Sequence, residues 1–400
     1  MKKLLLFLLP GMIFAKSFMI SNIPLPKTYV ENLDPYVCDE ICMQEYLDKD
    51  MIFSFLAHAD KKLDNKRLDE ARAMNIALFN IGAFNAGGKL KIAVLLPYKR
   101  IGKYASSTLN ATFAYLMTKS NPFSLKSYPI ESEKKQDIQN AFKQIHKDGF
   151  QYIIAPMTME GVNNTIALNP DANIYFPTIN KHDINTTSSY LFGGIDYTKQ
   201  SKILLKEAVS PLVIFSDKSR IGKKLAQDQK EEFLRSKRGR VIQYFISRKM
   251  TNLERYLKEN KRINNASFFI NAPVIKSGMI LSQLTLYDTN VTNILSTQIN
   301  YNPLLLSMTQ YNDRKKMIIA NSVIQNNSVI TETNSLLGND IVYDWINYST
   351  TVGMDYFYHQ ITGEERDYNI EIIDNQVVYK TELLSPGKTK FLPYHSTLKK

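Results

Sequence analysis

A chain of 400 residues in which 22% are charged has enough sequence for two lobes, each with its own core. After the first fifteen residues no stretch reaches the apolar length that a membrane helix needs, so no transmembrane segment is expected in the mature chain. The formal net charge of +12 suits anionic partners, but Lys and Arg are mostly interspersed with Glu and Asp as on a solvated surface, and nucleic acid is not an expected partner.

The first fifteen residues indicate the compartment. Lys2 and Lys3 form a positive start, Leu4–Phe14 is an apolar run, and Ala15 offers the small residue that signal peptidase requires. We therefore expect a cleaved signal peptide at 1–15 and a periplasmic product. The alternative is an uncleaved N-terminal anchor, although the run is short for spanning a bilayer.

Cys38 and Cys42 are the only two cysteines, and in an oxidising compartment two nearby thiols tend to pair. A spacing of four inside a regular helix would strain the bond, so a bridge requires a turn or a helix start at Asp39-Glu40. Pro35 upstream is compatible with such a start. The alternative, a metal site, lacks ligands, because His58 is the only nearby histidine. We predict a local disulfide.

The segment before residue 90 differs from the rest of the chain. From Cys38 to about Phe84, apolar residues recur at helical spacing with a polar break at Asp60–Lys66, which predicts a helical hairpin or small helical cap. Asn85–Gly88 reads as a linker.

From residue 90 onward strands and helices alternate, which favours parallel sheets with crossover helices. Leu90–Leu96 is a strand apolar enough to be buried on both faces, and a second block of similar units begins near Gln200. Asn339–Gln360 predicts a long helix. The tail predicts a hairpin that turns at Asp374-Asn375.

Four motifs resemble those of type I periplasmic binding proteins. Lys91–Pro97 is similar to their opening strand, and Tyr152–Thr158 to a later strand with its Ala-Pro-x-Thr turn. Val213–Gly222 resembles the start of their second lobe, where Asp and Gly bracket a strand-to-helix turn. Gly353–Tyr356 fits their late Gly-x-Asp helix. The similarity covers Lys91 to about Leu383 and depends on the order and spacing of the motifs together.

This resemblance implies an α/β fold with two Rossmann-like lobes and a hinged cleft, preceded by the helical segment. The expected boundaries are 16–89 for the helical segment and linker, 91–195 plus 326–365 for lobe 1, and 196–325 plus 366–394 for lobe 2.

Two functional branches of this superfamily are open for the chain. Solute receptors of ABC-type transporters clamp an amino acid or small anion between their lobes, whereas the periplasmic domain of penicillin-binding-protein activators acts by touching another protein. A helical part joined to such a body looks more like the second branch. We therefore expect a non-enzymatic envelope protein with a protein partner, and a solute receptor is the alternative.

The cleft chemistry follows from the sheet. Ligands of open α/β sheets lie beyond the carboxyl ends of the strands, so the loops after Leu96, Ala155 and Ile195 should face the cleft. A zwitterionic ligand needs hydroxyls and helix N-termini for its carboxylate and an acid for its ammonium. The first loop carries Lys99-Arg100 instead of the Ser-Gly-Pro turn of amino-acid receptors, so an anionic ligand, or none, is as well supported as an amino acid. The candidate binding residues are Tyr98, Arg100, Thr158, Asp196 and Tyr197.

Enzyme chemistry is poorly supported. The five histidines are scattered, without the spacing of a metal site or proton relay. Gly-x-Ser-x-Gly, phosphate-loop and Gly-x-Gly-x-x-Gly patterns do not occur, so neither a nucleophile nor a cofactor is indicated.

Two sequons fit an extended acceptor with an acid two residues before Asn, centred on Asn185 and Asn290. Both are candidate glycosylation sites, although a chain rich in Asn and Thr also produces such matches by chance.

One concentrated basic cluster occurs, at Arg235–Arg240. We interpret it as a helix C-terminus, where cations suit the helix dipole, and a binding patch is the alternative.

Overall fold

The computed structural model describes residues 28–82, 90–184, 186–236, 239–324 and 326–396. The expected signal peptide at 1–15, the linker at Asn85–Gly88 and the sequon residue Asn185 lie outside these residues. The chain divides into two compact units. The helical unit comprises 28–32 and 38–82, and the larger unit comprises 33–37 and everything from residue 90 onward.

The helical unit contains three short helices around a small core. They are α1 (Glu40–Asp48), α2 (Ile52–His58) and α3 (Lys66–Leu78). Phe55 and Leu68 are fully buried at the centre of this core. Thr28 pairs with Ile81 as a parallel bridge, which ties the start of the unit to the end of α3.

The predicted disulfide between Cys38 and Cys42 is confirmed, with a distance of 5.3 Å between the two Cα atoms. The helix begins at Glu40, and the Asp39 carboxylate caps it by accepting a hydrogen bond from the Cys42 N–H at 3.0 Å. Cys38 therefore lies before the helix, and the bridge does not have to span a full helical turn.

Lobe 1 alternates strands and helices as the sequence predicts. Its β1 is buried almost throughout because a parallel sheet is covered on both faces. In chain order the elements are β1 (Leu90–Leu96), α4 (Tyr98–Ile101), α5 (Tyr104–Met117), β2 (Phe123–Pro129), α6 (Lys135–Lys147), β3 (Tyr152–Ile154), α7 (Met159–Leu168), β4 (Asn173–Phe176), a 3-10 turn (Lys181–Asp183) and β5 (Leu191–Phe192).

Lobe 2 repeats the pattern after the chain crosses over. Its elements are α8 (Tyr197–Leu205), β6 (Leu212–Asp217), α9 (Arg220–Ser236), β7 (Val241–Ile246), α10 (Glu254–Leu257), a 3-10 turn (Lys261–Ile263), β8 (Ala266–Asn271), α11 (Val274–Leu286), β9 (Val291–Ser296), a 3-10 turn (Gln298–Asn300), α12 (Pro303–Met308), α13 (Tyr311–Arg314) and β10 (Met317–Asn321).

The chain then returns to lobe 1 and ends in lobe 2. The returning elements are α14 (Ser328–Leu336), α15 (Trp345–Thr362), β11 (Ile372–Ile373) and β12 (Gln376–Val377), and the last strands are β13 (Glu382–Pro386) and β14 (Phe391–Pro393). The predicted turn at Asp374-Asn375 joins β11 to β12, and both turn residues have positive φ, at 49° and 59°.

The two sheets have the same strand order. Sheet 1 runs β11-β12-β5-β4-β3-β1-β2, and sheet 2 runs β14-β13-β10-β9-β8-β6-β7. In each lobe the chain order reverses beside the first strand, between β1 and β3 and between β6 and β8. Crevices in open α/β sheets form at such switch points, beyond the carboxyl ends of the strands.

Buried amides and hydroxyls tie together the three segments where the chain crosses between the lobes. Gln200 at the first crossing donates to the Ser322 hydroxyl at the second, with 2.8 Å between the atoms. The Ser322 hydroxyl lies 3.2 Å from that of Thr381 at the third crossing. Asn180 and Gln376 both donate to the Gly194 carbonyl, at 2.9 and 3.3 Å. The crossings thus satisfy one another's polar groups away from water.

Tyr175 fixes α15 against sheet 1. Its fully buried hydroxyl donates to the Ser349 carbonyl at 2.7 Å and lies 2.9 Å from the Ser349 hydroxyl. The ring lies over Gly353, where an added Cβ would come within 2.0 Å of a ring carbon. This contact gives a physical reason for the Gly-x-Asp motif of the late helix.

The strand pairing corrects the expected lobe boundary at residue 366. The sequence places 366–394 in lobe 2, whereas β11 and β12 belong to sheet 1, because Gln376 pairs in parallel with Phe192 of β5. The chain therefore enters lobe 2 only after Val377. The predicted helix at Asn339–Gln360 begins later, at Trp345, because Asp344 caps it.

A pH-dependent stability is expected from Glu31 in the helical unit. Burial raises the pKa of its carboxyl from 4.5 to about 7. Between these values the folded chain retains a proton that the unfolded chain releases, so stability should fall as pH rises through this window. Calorimetric unfolding of the Glu31→Gln variant should show a weaker pH dependence from about pH 5 to about pH 7. The matched control is Glu70→Gln, because the Glu70 side chain is 70% exposed. The stability of this variant should depend on pH as that of wild type does.

Gly353→Ala should destabilise the protein, although Ala normally stabilises a helix interior by about 1 kcal/mol relative to Gly. The added methyl group clashes with the buried Tyr175 ring, and overpacking costs about 1–3 kcal/mol. Urea unfolding gives the free energy of unfolding. In a Tyr175→Leu background the same substitution should cost less. An unchanged or increased stability of the single variant would contradict the proposed contact.

Candidate functional site

A cavity of about 550 Å³ lies between the lobes. Its lobe 1 wall comes from the segments that follow β3, β4 and β5, and its lobe 2 wall from the first turns of α9. This is the position that the switch points predict. Its lining combines apolar and aromatic side chains with a similar number of polar and charged ones.

Tyr197 and Trp345 form the aromatic part of the cavity. Their rings meet edge to face, with centroids 6.5 Å apart and an angle of 88° between the planes. Burial raises the pKa of the Tyr197 hydroxyl well above its ordinary value. The neighbouring Asp344 caps α15, accepting from the Ile346 N–H at 3.0 Å, and burial raises the pKa of its carboxyl.

A buried glutamate fills the N-terminus of α7 beside the cavity. Glu133 is only 2% exposed, and its carboxylate accepts from the Thr158 N–H at 2.7 Å and the Gly161 N–H at 3.2 Å. The Thr158 hydroxyl donates to the same carboxylate. Gly161 permits this approach, because a Cβ there would lie 2.8 Å from the carboxyl carbon. A helix N-terminus attracts anions, and here the chain supplies the anion itself.

The turn from β6 into α9 builds the lobe 2 wall. The Asp217 carboxylate accepts from the Ser219 N–H at 3.1 Å, and the Ser219 hydroxyl accepts from the Gly222 N–H at 3.0 Å. A Cβ on Gly222 would come within 2.1 Å of the Asp217 carboxylate, so the turn requires glycine. The turn positions Lys224 and Asp228 at the cavity, and burial is the main cause that raises the pKa of Asp228.

An ion pair bridges the lobes at the rim. Lys224 of α9 donates to the carboxylate of Asp183, in the 3-10 turn of lobe 1. Both side chains are partly exposed, so this pair contributes modestly to holding the lobes together.

Three of the five predicted binding residues line the cavity, namely Thr158, Asp196 and Tyr197. The Asp196 carboxylate caps α8, accepting from the Lys199 N–H at 2.7 Å. Tyr98 lies outside the cavity and packs against the lobe 1 core. Arg100 also lies outside it and forms an exposed ion pair with Glu160 at 3.0 Å.

Sequence reasoning missed the residues that shape this site most. Glu133 lies in a charged stretch after β2 that reads as solvated loop, so no local signal marks it as buried. Trp345 is assigned to a helix face but not to the cleft. Asp228 reads as a surface helix residue. Only the Asp-x-x-x-x-Gly spacing of Asp217 and Gly222 points toward the lobe 2 wall.

The remaining sequence predictions concern the surface. Asn290 is exposed beside β9, and its amide donates to the Asn265 side chain at 2.8 Å, so glycosylation there stays a prediction. Within the described ranges no group of three or more His, Cys, Asp or Glu side chains could hold a metal ion. Nor is any helix in those ranges both long and apolar enough to cross a bilayer.

Comparison with known proteins found similarity at the level of structure only. Neither the protein-family models nor the curated proteins contain a match to this sequence. A leucine-binding protein from Thermotoga maritima superposes with a TM-score of 0.56 at 14% identity, covering 76% of this chain and 98% of that chain. The branched-chain amino acid binding protein LivJ from Streptococcus pneumoniae, in complex with isoleucine, gives 0.56 at 9% identity, covering 76% and 97%.

LpoA from Haemophilus influenzae is also similar, with a TM-score of 0.52 at 10% identity, covering 86% of this chain and 69% of that chain. Together with the paired seven-stranded sheets, these matches show that the chain has the type I periplasmic binding protein fold. The resemblance stated from the sequence motifs is thereby confirmed. A further structural neighbour, from Burkholderia xenovorans, is described as a periplasmic ligand-binding protein of a branched-chain amino acid ABC transporter.

Removing the Glu133 carboxylate should destabilise lobe 1. Glu133→Ala leaves the N–H groups of Thr158 and Gly161 without their acceptor, at a cost of about 2 kcal/mol in the free energy of unfolding. Added formate should raise the melting temperature of this variant but not that of wild type, because it can replace the carboxylate.

The matched control is Glu131→Ala, two residues away. Glu131 is exposed and pairs only with the exposed Lys99 at 3.0 Å, so its loss should leave stability nearly unchanged and unresponsive to formate. Equal effects of the two substitutions would contradict the assigned role of Glu133.

Proposed function

We propose that this protein is a non-enzymatic periplasmic protein that uses its binding-protein fold for interaction with, or regulation of, another protein of the cell envelope. The observation that carries the proposal is the Glu133 carboxylate at the N-terminus of α7. A receptor that captures a carboxylate or other anion benefits from helix N–H groups left open for the ligand. In this chain the Thr158 and Gly161 N–H groups at that helix end already donate to Glu133.

The charges around the cleft support the same proposal. Lys99 and Arg100, the cations that the first loop offers to an anionic solute, form exposed ion pairs with Glu131 and Glu160, both at 3.0 Å. Lys224 is engaged by Asp183 across the lobes. Each cation would have to leave a partner before it could bind a solute.

The comparisons add architectural support. The match to LpoA extends over 86% of this chain, against 76% for the leucine-binding proteins, so it reaches beyond the two lobes. LpoA is described as a regulator of PBP1A. A helical unit joined to a two-lobed body is compatible with such a role.

Three consistent features support a periplasmic location. The positive start and apolar run at 1–15 fit a cleaved signal peptide. The disulfide between Cys38 and Cys42 suits an oxidising compartment. One structural neighbour is described as a periplasmic ligand-binding protein. We therefore propose a soluble periplasmic product that uses no cofactor.

A second candidate function, solute reception, is favoured by the cavity itself. A space of about 550 Å³ beside Tyr197 and Trp345 can accept a small ligand with an apolar side chain. Asp196 or Asp228 could meet an ammonium group at the rim. The LivJ neighbour binds isoleucine in its own structure.

A paired experiment separates the two functions. The full chain is melted with each amino acid and with small organic and inorganic anions. A true ligand at about a hundred times its dissociation constant would add about 2.7 kcal/mol of stability. The proposal expects no shift from any of them. In parallel, the tagged protein is cross-linked in the envelope and purified. One partner protein should co-purify with it at a fixed ratio.

Substitutions in the cleft provide the control. Tyr197→Ala alters the cavity, and Tyr311→Ala removes a tyrosine that is 43% exposed elsewhere in lobe 2. Both variants should retain the partner. A solute that stabilises wild type and Tyr311→Ala, but not Tyr197→Ala, would establish the receptor instead.

A further inference from the structure

Most of the excess positive charge of the chain is concentrated in one short stretch. Between Arg235 and Arg262 the sequence has ten Lys and Arg residues and two Glu residues, a net charge of +8 out of the chain's +12. Every one of these Lys and Arg residues within the described ranges is exposed. The stretch surrounds β7, with Arg240 directly before the strand and Arg248 and Lys249 directly after it.

β7 is the outermost strand of sheet 2 on this side and pairs only with β6 among the described residues. The Leu212 N–H donates to the Arg240 carbonyl at 2.9 Å, which sets the phase of the parallel ladder. Because hydrogen bonding alternates along a strand, the N–H and C=O groups of Val241, Gln243 and Phe245 point away from β6. In the described part of the chain these backbone groups have no partner.

The equivalent strand of lobe 1 is protected and β7 is not. β2 occupies the same place in sheet 1, and it contains Lys126 and ends at Pro129, which are the residues that discourage pairing at an edge. β7 reads Val-Ile-Gln-Tyr-Phe-Ile, with neither Lys nor Pro, and its register with β6 is continuous. Phe245 on this strand is 39% exposed. Of these two equivalent edge strands, only β7 therefore retains an open edge of high β propensity.

The surroundings keep this edge rigid and cationic. Tyr244 of β7 packs against Tyr256 with ring centroids 4.7 Å apart, which fixes α10 against the strand. The Arg240 guanidinium donates to the Arg262 carbonyl at 2.6 Å, so two arginines lie together at the start of the strand. A second copy of this chain would bring equal positive charge to the same edge and be repelled.

We propose that the β7 edge binds an extended acidic segment of a partner protein, which adds a strand to sheet 2 while its carboxylates meet the flanking cations. This inference rests on the proposed interaction function and names the surface that performs it. Backbone hydrogen bonds to Val241, Gln243 and Phe245 supply affinity. The cations at the two ends of the strand select acidic sequences and speed encounter.

The test uses the full chain and a fluorescent decapeptide that alternates Glu with Val or Thr. Binding is followed by anisotropy, and amide exchange is followed at Val241, Gln243 and Phe245. The Glu peptide should bind more tightly than the same peptide with Lys, weaken as salt rises, and protect these three amides from exchange. Equal binding of the two peptides, or no protection, would overturn the proposal.

Two substitutions at Gln243 test backbone pairing separately from the loss of the side chain. Gln243→Pro removes an outward N–H, which an edge strand tolerates, and should weaken binding about tenfold. Gln243→Val retains the N–H and loses the same side-chain bond to Ala226, so it should bind like wild type. Equal affinity of the Pro and Val variants would exclude strand addition.

The charge variant reverses Arg240, Arg248 and Lys249 to Glu. Its affinity for the Glu peptide should fall at least about tenfold, with a gain for the Lys peptide. The matched control reverses three exposed lysines of α6 to Glu, namely Lys135, Lys143 and Lys147, and should not change binding. Equal losses in the two triple variants would overturn the proposal.

A lipid surface is distinguished by vesicles containing phosphatidylglycerol. If wild type binds the vesicles but not the Glu peptide, and the charge-reversed variant does not bind the vesicles, the stretch is a membrane-binding patch. Strand addition is then rejected. The envelope partner recovered by cross-linking tests the proposed function separately. If that partner is retained equally by wild type, by Gln243→Pro and by the charge-reversed variant, the interaction function stands and this surface does not carry it.

Discussion

The architecture depends on buried polar groups at the three places where the chain passes between its lobes. Gln200, Ser322 and Thr381 come from different crossings, and their side chains satisfy one another. Gly194 is held by Asn180 and Gln376. An unpaired amide in such a place costs about 1–3 kcal/mol, so each crossing constrains the other two. This shared constraint keeps the carboxyl ends of both sheets facing one cleft.

The cleft combines an aromatic cavity with a helix N-terminus that an internal carboxylate occupies. The aromatic pair Tyr197 and Trp345 provides an apolar space, as solute receptors do. The anion-attracting end of α7 instead holds the internal carboxylate of Glu133. The hydrogen bonds between Glu133 and that helix end stabilise the folded chain and are not available to a ligand.

The two lobes differ at their equivalent edge strands. The two sheets have one strand order, yet their equivalent edge strands differ in protection and charge. Lobe 1 has Lys126 and Pro129 on its edge, whereas the edge of lobe 2 is open and lies within a stretch of net charge +8. Both sheets have the same strand order, so the backbone of each edge strand makes the same kind of pairing. The difference between the two edges therefore comes from their side chains.

The sequence by itself determined the features that depend on neighbouring residues. The apolar run Leu90–Leu96, the turn at Asp374-Asn375 and the bridge between Cys38 and Cys42 follow from periodicity, turn propensity or short-range geometry. The order of the motifs was also sufficient to predict the fold class and the cleft positions of Thr158, Asp196 and Tyr197.

Only the tertiary structure decided which distant segments meet. Glu133 is buried because α7 begins beside it, and the hairpin of β11 and β12 joins lobe 1 because Gln376 pairs with Phe192. Tyr98 and Arg100 follow β1 as predicted, yet packing directs them away from the cavity. Periodicity reports how one segment is buried, whereas burial of a charge, strand pairing across the chain and the direction of a loop depend on partners that are distant in the sequence.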